Sequence, residues 1–364
     1  MADNKRVYRL GVVGLGEGRS ILSAALASPQ WELVNICDLD EALCLKRRAE
    51  FNFPRHTTDY ETLLADPSIE VIAIYTPDQW HAAHIVQALD AGKHVICTKP
   101  LLSDLSQAQP VREALKRSGK HLFVGQSSRF FEPFRHQRDD YLAGRLGEVG
   151  TVDASYITDA RWFLDKPWSR KPGFSWMYNF LIHPVDLIRW YSPDIEEVFG
   201  LANTSANTTA FGLTVPDNLR FLTRDSAGRI GQIGGNYAGP TLGKEVEPAI
   251  SCTLRGTQGV SRAWYPKLRY EIHREGEPVV VRIDEERREH YFRFEADSHH
   301  AGEYQNYLEY FSDCLDRGEA PLPDFAEGVG TLVLMKALEQ TLATGKPMFL
   351  RDAAREHGVL DLMR

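Results

Sequence analysis

The stretch "VYRLGVVGLGEGRS", residues 7–20, decides the fold of the amino-terminal part of the chain. A short apolar run that ends in glycine is typical of a buried parallel strand. Gly14 and Gly16 fit the first two positions of a G-x-G-x-x-G turn, whose backbone lies close to a dinucleotide pyrophosphate. Arg19 takes the third position, and Gly18 stands one residue early. Glycine-rich turns are common in α/β proteins, so the motif alone is weak.

The residues after the turn favour dinucleotide binding. A helix is expected over about residues 19–27, and "ELVNICD" then forms a second strand that ends at Asp38. Asp38 follows Gly14 by 24 residues, close to the roughly 20 expected for the acid that binds the ribose hydroxyls of NAD. A carboxylate here repels the 2′-phosphate of NADP. The guanidinium of Arg19 could instead turn outward toward a phosphate, which is a hypothesis.

Strands and helices alternate over the first 125 residues at the spacing of βαβ units, which predicts a doubly wound parallel sheet. After Gln126 the pattern changes, and strand-rich segments between about residues 195 and 294 are followed by two helices. We expect an α/β protein with a Rossmann NAD-binding domain over 1–125. A substrate-binding and oligomerisation domain over 126–364 would be α+β, with an open, mostly antiparallel sheet that a partner subunit covers.

Composition excludes several classes of protein. The 364-residue chain has a formal net charge of −8, with acidic and basic residues interspersed, which disfavours a nucleic-acid or anionic-membrane surface. The segment MADNKR is not followed by an apolar signal region, and the longest apolar runs are too short to span a bilayer. Five cysteines without a CxxC pair favour reduced core residues over disulfides or a zinc site. We expect a cytoplasmic protein.

The third and fourth strands carry a more specific pattern, "VIAIYTPDQWHAAHIVQALDAGKHVICTKPL". It resembles T-P-N-x-x-H followed by A-G-K-H-V-x-x-E-K-P, a hallmark of the glucose–fructose oxidoreductase and inositol dehydrogenase (Gfo/Idh/MocA) family. The matching residues include Thr76, Pro77, His81, Lys99 and Pro100. Thr98 stands where the family usually has glutamate. Weaker likenesses in "VGQSSRFFEP", "GEYQNYLEYFSDCL" and "TGKPMFL" extend the resemblance over essentially the whole chain.

The resemblance implies an oxidoreductase that holds NAD or, less expected here, NADP, and acts on one carbon of a sugar, polyol or sugar derivative. Many members are dimers or tetramers joined through the open sheet. The matching lysine, Lys99, lies beside the nicotinamide in the family, and its ammonium can stabilise an alkoxide as hydride leaves. A cis bond is expected before Pro100. The candidate cofactor-binding residues are Gly14, Gly16, Gly18, Arg19, Asp38, Thr76, Pro77, His81, Thr98, Lys99 and Gln126.

A second family motif, resembling D-x-G-x-H-x-x-D, aligns with "NFLIHPVD", in which His183 and Asp186 match and Asn179 replaces the first aspartate. The family uses the histidine to accept the substrate proton, for which imidazole has a suitable pKa. Pro184 predicts that a helix starts, or restarts, there, so that His183 lies at or near an N-cap where the dipole favours neutral imidazole. Asn179 could orient the ring without stabilising its charge, which predicts slower proton acceptance or help from Asp186. A buried structural histidine is the alternative.

Two further clusters leave alternatives open. His299, His300 and Glu303 have helical spacing, but zinc needs three or four ligands and no other cluster supplies them. We therefore expect no metal, and imidazoles that face solvent or contact a polyhydroxylated substrate. The stretch "DARWFLDKPWSRKPGFSWMYN" offers Arg161, Trp162 and Trp176 as substrate contacts, because aromatic faces stack on sugars. Packing against the domain or a neighbouring subunit explains these tryptophans equally well.

The leading hypothesis is an NAD-dependent dehydrogenase of a sugar, cyclitol or sugar derivative, with Lys99, His183 and Asn179 as the catalytic set. An alternative is a glycoside hydrolase or lyase that retains NAD and works by transient oxidation. A third hypothesis, a non-catalytic dinucleotide-binding regulator, is disfavoured because both Lys99 and His183 are present.

Overall fold

The chain folds into two units in a computed structural model that describes residues 6–166, 169, 173–243, 246–284 and 302–363. Of these residues, the first unit contains those up to Phe130, 302–332 and 361–363, and the second contains 131–284 and 333–360. The division differs from the predicted one at residue 125, because segments from the end of the chain return to the first unit.

The first unit is built on a five-stranded parallel sheet in the order β2-β1-β3-β4-β5. Its strands are β1 (Tyr8–Val13), β2 (Trp31–Cys37), β3 (Val71–Ile74), β4 (His94–Thr98) and β5 (Leu122–Gly125). All four residues of β3 are fully buried, as expected of a central strand that has helices on both faces. The predicted doubly wound parallel sheet is confirmed.

Five helices connect these strands: α1 (Arg19–Ala27), α2 (Glu41–Phe51), α3 (Tyr60–Ala65), α4 (His81–Asp90) and α5 (Ala108–Ser118). Aspartates begin two of them. The Asp40 side chain accepts hydrogen bonds from two backbone N–H groups of α2, and Asp59 does the same for α3. The predicted bounds of α1 are confirmed.

A helix from the end of the chain, α10 (Glu303–Arg317), completes the core of the first unit. Tyr307, Leu308 and Phe311 are fully buried on it. The ring of Tyr307 stacks on Phe123 of β5 with centroids 4.0 Å apart. Trp31 of β2 donates from Nε1 to the Leu308 carbonyl at 3.0 Å. This apolar face explains why α10 belongs to the first unit.

The second unit contains a nine-stranded sheet in the order β13-β12-β11-β10-β6-β9-β8-β7-β14. Its strands are β6 (Val149–Ile157), β7 (Ile195–Asn203), β8 (Asn218–Asp225), β9 (Ile230–Asn236), β10 (Ile250–Gly256), β11 (Gly259–Tyr265), β12 (Arg269–Arg274), β13 (Val280–Ile283) and β14 (Met348–Phe349). Only the β6–β9 pair is parallel among these neighbours. The expected mostly antiparallel sheet is confirmed.

The remaining helices are α6 (Glu132–Leu142), α7 (Arg161–Leu164), α8 (Ile182–Tyr191), α9 (Ala206–Thr209), α11 (Phe325–Thr344) and α12 (Leu350–Glu356). α8 packs against β6, β9 and β10, and α6 packs against β11 and β12. Side chains alternate along the strands, so Leu219 and Phe221 of β8 are buried. Leu222 on the opposite face is 51% exposed, and Leu201 of neighbouring β7 is 69% exposed.

The five cysteines, Cys37, Cys44, Cys97, Cys252 and Cys314, are all buried and carry free thiols, as the composition predicts. Among the described residues, no helix is both long enough and apolar enough to cross a membrane.

We predict that Phe311→Ala lowers the free energy of unfolding by about 3–5 kcal/mol, because it opens a cavity between α10 and the sheet of the first unit. Arg317→Ala, on the exposed end of the same helix, is the control and should change stability by less than about 0.5 kcal/mol. Chemical denaturation of the two variants measures the difference. Equal stabilities would show that α10 does not contribute to this core.

Candidate active site

The glycine turn between β1 and α1 is held by close backbone contact. Gly14 has φ +86°, and a Cβ there would overlap the backbone of Tyr75. A Cβ on Gly18 would overlap the Gly14 carbonyl, so Gly18 performs the close packing that the third glycine of the motif usually provides. A Cβ on Gly16 would meet no atom within 4 Å. Of these three glycines, only Gly16 has open space beside its backbone, the glycine at which the sequence predicts close approach of a pyrophosphate.

Asp38 lies at the end of β2 and fixes this turn. Its Oδ2 accepts a hydrogen bond from the Leu15 N–H at 2.8 Å, and its Oδ1 accepts one from the Asp40 N–H at 3.0 Å. The Leu15 carbonyl accepts a bond from Arg47 Nε at 2.9 Å. Both the N–H and the carbonyl of Leu15 are thus hydrogen-bonded. Each carboxylate oxygen of Asp38 still has a lone pair that could accept a hydrogen bond from a ribose hydroxyl.

Arg19 binds a carboxylate of the protein. Its Nε donates to Glu50 Oε1 at 2.6 Å, and Arg47 Nη1 donates to Glu50 Oε2 at 2.6 Å. Burial opposes the ionisation of Glu50, but the bonds from Arg19 and Arg47 hold its pKa below the ordinary value. To turn toward a phosphate, as the sequence suggested, Arg19 would therefore have to break its ion pair with Glu50.

His81, the first residue of α4, links two turns at the carboxyl edge of the sheet. It is 1% exposed, with Nδ1 2.8 Å from the Pro100 carbonyl and Nε2 2.8 Å from the Thr76 carbonyl. Burial lowers the pKa of His81. These contacts suit a residue that positions the turns after β3 and β4 rather than one that touches a ligand. Pro77 follows Thr76 in the first of these turns.

Lys99 follows β4, and the Lys99–Pro100 peptide bond is cis, as predicted. Burial lowers the pKa of Lys99 to about 8, and the carboxylates of Glu17 and Asp78 raise it in part. The side chain is mainly an ammonium at neutral pH, yet it releases its proton far more readily than an exposed lysine. Thr98 precedes it and pairs with Gly125, which places Gln126 at the neighbouring strand end.

His183 lies in the second unit inside a continuous helical segment. The α-helix restarts at Ile182, close to Pro184 as predicted, but the expected free N-cap at His183 is wrong. A π-helical turn over Met177–Leu181 runs directly into α8. A proline within a helix clashes with the carbonyl four residues earlier, and the wider π turn relieves this contact. His183 is therefore away from a free N-cap, and the helix-dipole argument for a neutral ring does not apply.

Asn179 lies in the π turn, where its Nδ2 donates to the Ser175 carbonyl at 2.8 Å. The His183 ring is half-buried and packs edge-on against Tyr156 with centroids 5.8 Å apart. Burial raises the pKa of Tyr156, so its phenol stays protonated. Asp186 is fully buried on α8, which favours a role within the protein over direct contact with a substrate.

The other predicted substrate contacts differ in exposure. Trp176 is fully buried in an aromatic cluster and stacks on Tyr237 with centroids 5.6 Å apart, which favours the packing alternative. Trp162 is 51% exposed. Arg161 forms a two-point ion pair with Asp159. His299 and His300 lie outside the described residues.

Glu303 of the same predicted cluster is fully buried at the start of α10. Within the described part of the chain, no group of three or more His, Cys, Asp or Glu side chains could hold a metal ion.

Several functional features escaped the sequence prediction. Glu50 and Arg47, which fix the glycine turn, lie on α2, far from any motif. The packing role of Gly18 is visible only once the path of the turn is known. Gln126 was among the predicted cofactor-binding residues, but the burial of its side chain was not predicted.

The residues at this edge fit a dinucleotide. The open backbone at Gly16 and the acidic end of β2 match the two contacts that a Rossmann sheet makes with such a cofactor. The fold and these contacts define the class of protein as an NAD-binding Rossmann oxidoreductase.

Comparison with known proteins gives the family. A family model described as "Oxidoreductase family, NAD-binding Rossmann fold" matches residues 8–126, and the "GFO/IDH/MocA C-terminal domain" model matches 134–262. Together they cover more than half of the chain, and the chain belongs to the Gfo/Idh/MocA oxidoreductase family.

Similar proteins are named as dehydrogenases. A 1-carboxy-3-chloro-3,4-dihydroxycyclohexa-1,5-diene dehydrogenase of Comamonas testosteroni is 33% identical over 50% of this chain and 46% of its own length. An inositol 2-dehydrogenase of Rubrobacter xylanophilus is 29% identical over 95% of this chain and 93% of its own. The solved levoglucosan dehydrogenase–NADH complex shares the fold, with a TM-score of 0.80 at 18% identity over 95% of this chain and 99% of its own.

Coverage of the curated relatives varies. The matches to the Comamonas enzyme and to three uncharacterised oxidoreductases span between 38% and 60% of those proteins' lengths.

We predict that Gly16→Ala and Gly18→Ala fail in different ways. Gly16→Ala should keep the stability of the parent but bind NAD at least about tenfold more weakly, because its methyl group occupies the open backbone. Gly18→Ala should lose about 1–3 kcal/mol of stability through overlap with the Gly14 carbonyl. Thermal unfolding and fluorescence titration with NAD separate the two effects. Unchanged NAD affinity in Gly16→Ala would contradict the placement of the pyrophosphate.

Proposed function

We propose that this protein is an NAD-dependent dehydrogenase that oxidises or reduces a hydroxyl-bearing carbon of a sugar, cyclitol or sugar derivative. The observation that carries the proposal is the open glycine turn beside Asp38, at the same sheet edge as Lys99 with its lowered pKa. Named relatives acting on inositol and levoglucosan support this substrate class.

NAD is favoured over NADP by the carboxylate of Asp38. Two backbone N–H groups hold this carboxylate at the end of β2, so it cannot easily turn away from a ribose. A 2′-phosphate placed there would meet a fixed negative charge, whereas two ribose hydroxyls would find acceptors.

Lys99 and His183 are the proposed catalytic residues. Bound nicotinamide supplies the hydride acceptor at its C4 atom. The Lys99 ammonium donates a hydrogen bond to the substrate oxygen and stabilises the negative charge that develops there. His183 accepts the hydroxyl proton, since imidazole ionises near neutral pH. Asn179 cannot stabilise the resulting imidazolium by charge, so we expect slower proton acceptance than an aspartate would give.

We predict that purified protein reduces NAD with at least one member of a panel of sugars, inositols and glycosides, as followed by the absorbance of the reduced cofactor. Lys99→Ala and His183→Ala should each lower kcat by about 10²-fold or more, because each removes a group needed in the transition state. A glycoside cleaved without net cofactor reduction would favour the NAD-retaining hydrolase. NAD binding without turnover would favour a regulator.

The pH dependence of kcat/KM tests the proposed role of Lys99. The ammonium is the active form, so kcat/KM should fall as pH rises through about 8, where Lys99 loses its proton. Lys99→Arg keeps its charge and should move this fall to higher pH. An alkaline limb that stays unchanged in Lys99→Arg would assign it to another group.

We also propose that the protein forms a homodimer or homotetramer through the open sheet face of the second unit. Leu201 and Leu222 lie on neighbouring strands of that face and are more than half exposed. Apolar side chains grouped on an open sheet favour a protein partner.

We predict that Leu222→Asp converts the assembly to monomers without unfolding it, because the charge would be buried at the subunit interface. Light scattering after size-exclusion chromatography measures the mass. Leu142→Asp, at the exposed end of α6, is the matched control and should assemble like the parent. A monomeric parent would refute the proposed assembly.

A further inference from the structure

The residue after β5 carries a buried hydrogen-bond acceptor that no donor of the described chain uses. Gln126 is 2% exposed, and its side-chain Oε1 has no hydrogen-bond partner among the described residues. Native proteins leave few buried polar atoms unpaired, because desolvation without a new bond costs free energy. An atom of this kind at a binding edge points to a donor that arrives with a ligand.

The backbone of Gln126 is fully bonded, so only the side-chain oxygen lacks a donor. The Gln126 N–H donates to the Val124 carbonyl at 2.8 Å, and the Gln126 carbonyl accepts from the Arg129 N–H at 3.2 Å. These two bonds form a sharp turn that fixes the residue at the end of β5.

This turn lies beside Lys99. Thr98 of β4 pairs with Gly125 of β5, and a Cβ on Gly125 would lie 2.8 Å from the Thr98 Cα. Glycine therefore allows the two strand ends to approach closely. Lys99 and Gln126 are the next residues on the two strands, and they are neighbours across the edge.

The order of the strands tells which half of a dinucleotide would reach this position. In the order β2-β1-β3-β4-β5, Asp38 at the end of β2 would bind the adenosine ribose, and the turn after β1 would hold the pyrophosphate. The ends of β4 and β5, on the other side of the switch point, would then hold the nicotinamide half. The hydrogen-bond donor of the nicotinamide ring is the N–H₂ group of its carboxamide.

We propose that Oε1 of Gln126 accepts a hydrogen bond from the carboxamide of nicotinamide. The inference rests on the proposed NAD-dependent function and names the residue that orients the ring. A half-turn of the ring about its glycosidic bond would carry the carboxamide away from Gln126. The hydrogen bond to Oε1 would therefore favour one of the two orientations of the nicotinamide ring, and so one of its two faces toward the substrate. Gln126 is thus a positioning residue.

The test compares two dinucleotides, NAD and 3-acetylpyridine adenine dinucleotide, whose acetyl group has no N–H donor. Isothermal titration of the parent should show NAD binding about tenfold more tightly, the effect of one well-formed hydrogen bond. Gln126→Leu should bind the two equally, with the whole loss falling on NAD. Gln126→Glu keeps an acceptor oxygen and should keep a preference for NAD.

Thermal unfolding of the free variants supplies a second readout. Gln126→Leu removes an unpaired buried acceptor and should unfold at the same temperature as the parent or higher. Gln109→Leu, the same change on exposed α5, should preserve both the binding preference and the stability.

Each contrary result has a separate meaning. An unchanged preference for NAD in Gln126→Leu would overturn the assignment. A marked loss of stability would also overturn it, because it would show that the free protein already uses the side-chain amide. A parent that binds neither dinucleotide would overturn the proposed function itself.

Discussion

The close approach of the glycine turn to the end of β3 is the constraint on which the candidate cofactor site depends. Gly14 adopts a left-handed conformation against the backbone of Tyr75, a position that no larger residue could occupy. This contact places Leu15 where Asp38 binds its N–H and Arg47 binds its carbonyl. The ribose acid, the open backbone of the turn and the start of α1 are therefore set by one packing contact.

The same sheet edge contains two buried polar groups that destabilise the protein in the absence of a ligand. Burial lowers the pKa of Lys99 to about 8 because a desolvated ammonium is destabilised. The buried amide oxygen of Gln126 lacks a donor among the described residues. Proteins tolerate such local conflicts mainly where function requires them. Two of them at adjacent strand ends form a stronger argument for a binding site than either residue alone.

Local patterns were predictable from the sequence, and contacts between distant segments were not. The parallel strands follow from continuous apolar runs, and the Asp59 cap from its own neighbouring residues. The return of α10 to the first unit depends on burying Phe311 beside Trp31, which no window of sequence contains. The pairing of Arg19 with Glu50 likewise joins residues on two helices, so a side chain that could bind a phosphate was found bound to the protein.

The departure of Asn179 from the family motif has a structural counterpart in the π turn. Pro184 cannot donate a backbone hydrogen bond, and the wider turn before it lets the Ile182 N–H reach the Met177 carbonyl. Asn179 lies within this turn and donates from Nδ2 to the Ser175 carbonyl. An aspartate in the same conformation would place a carboxylate oxygen against that carbonyl, and the two acceptors would repel each other. The amide therefore suits the local backbone, because its Nδ2 supplies the donor that the Ser175 carbonyl accepts.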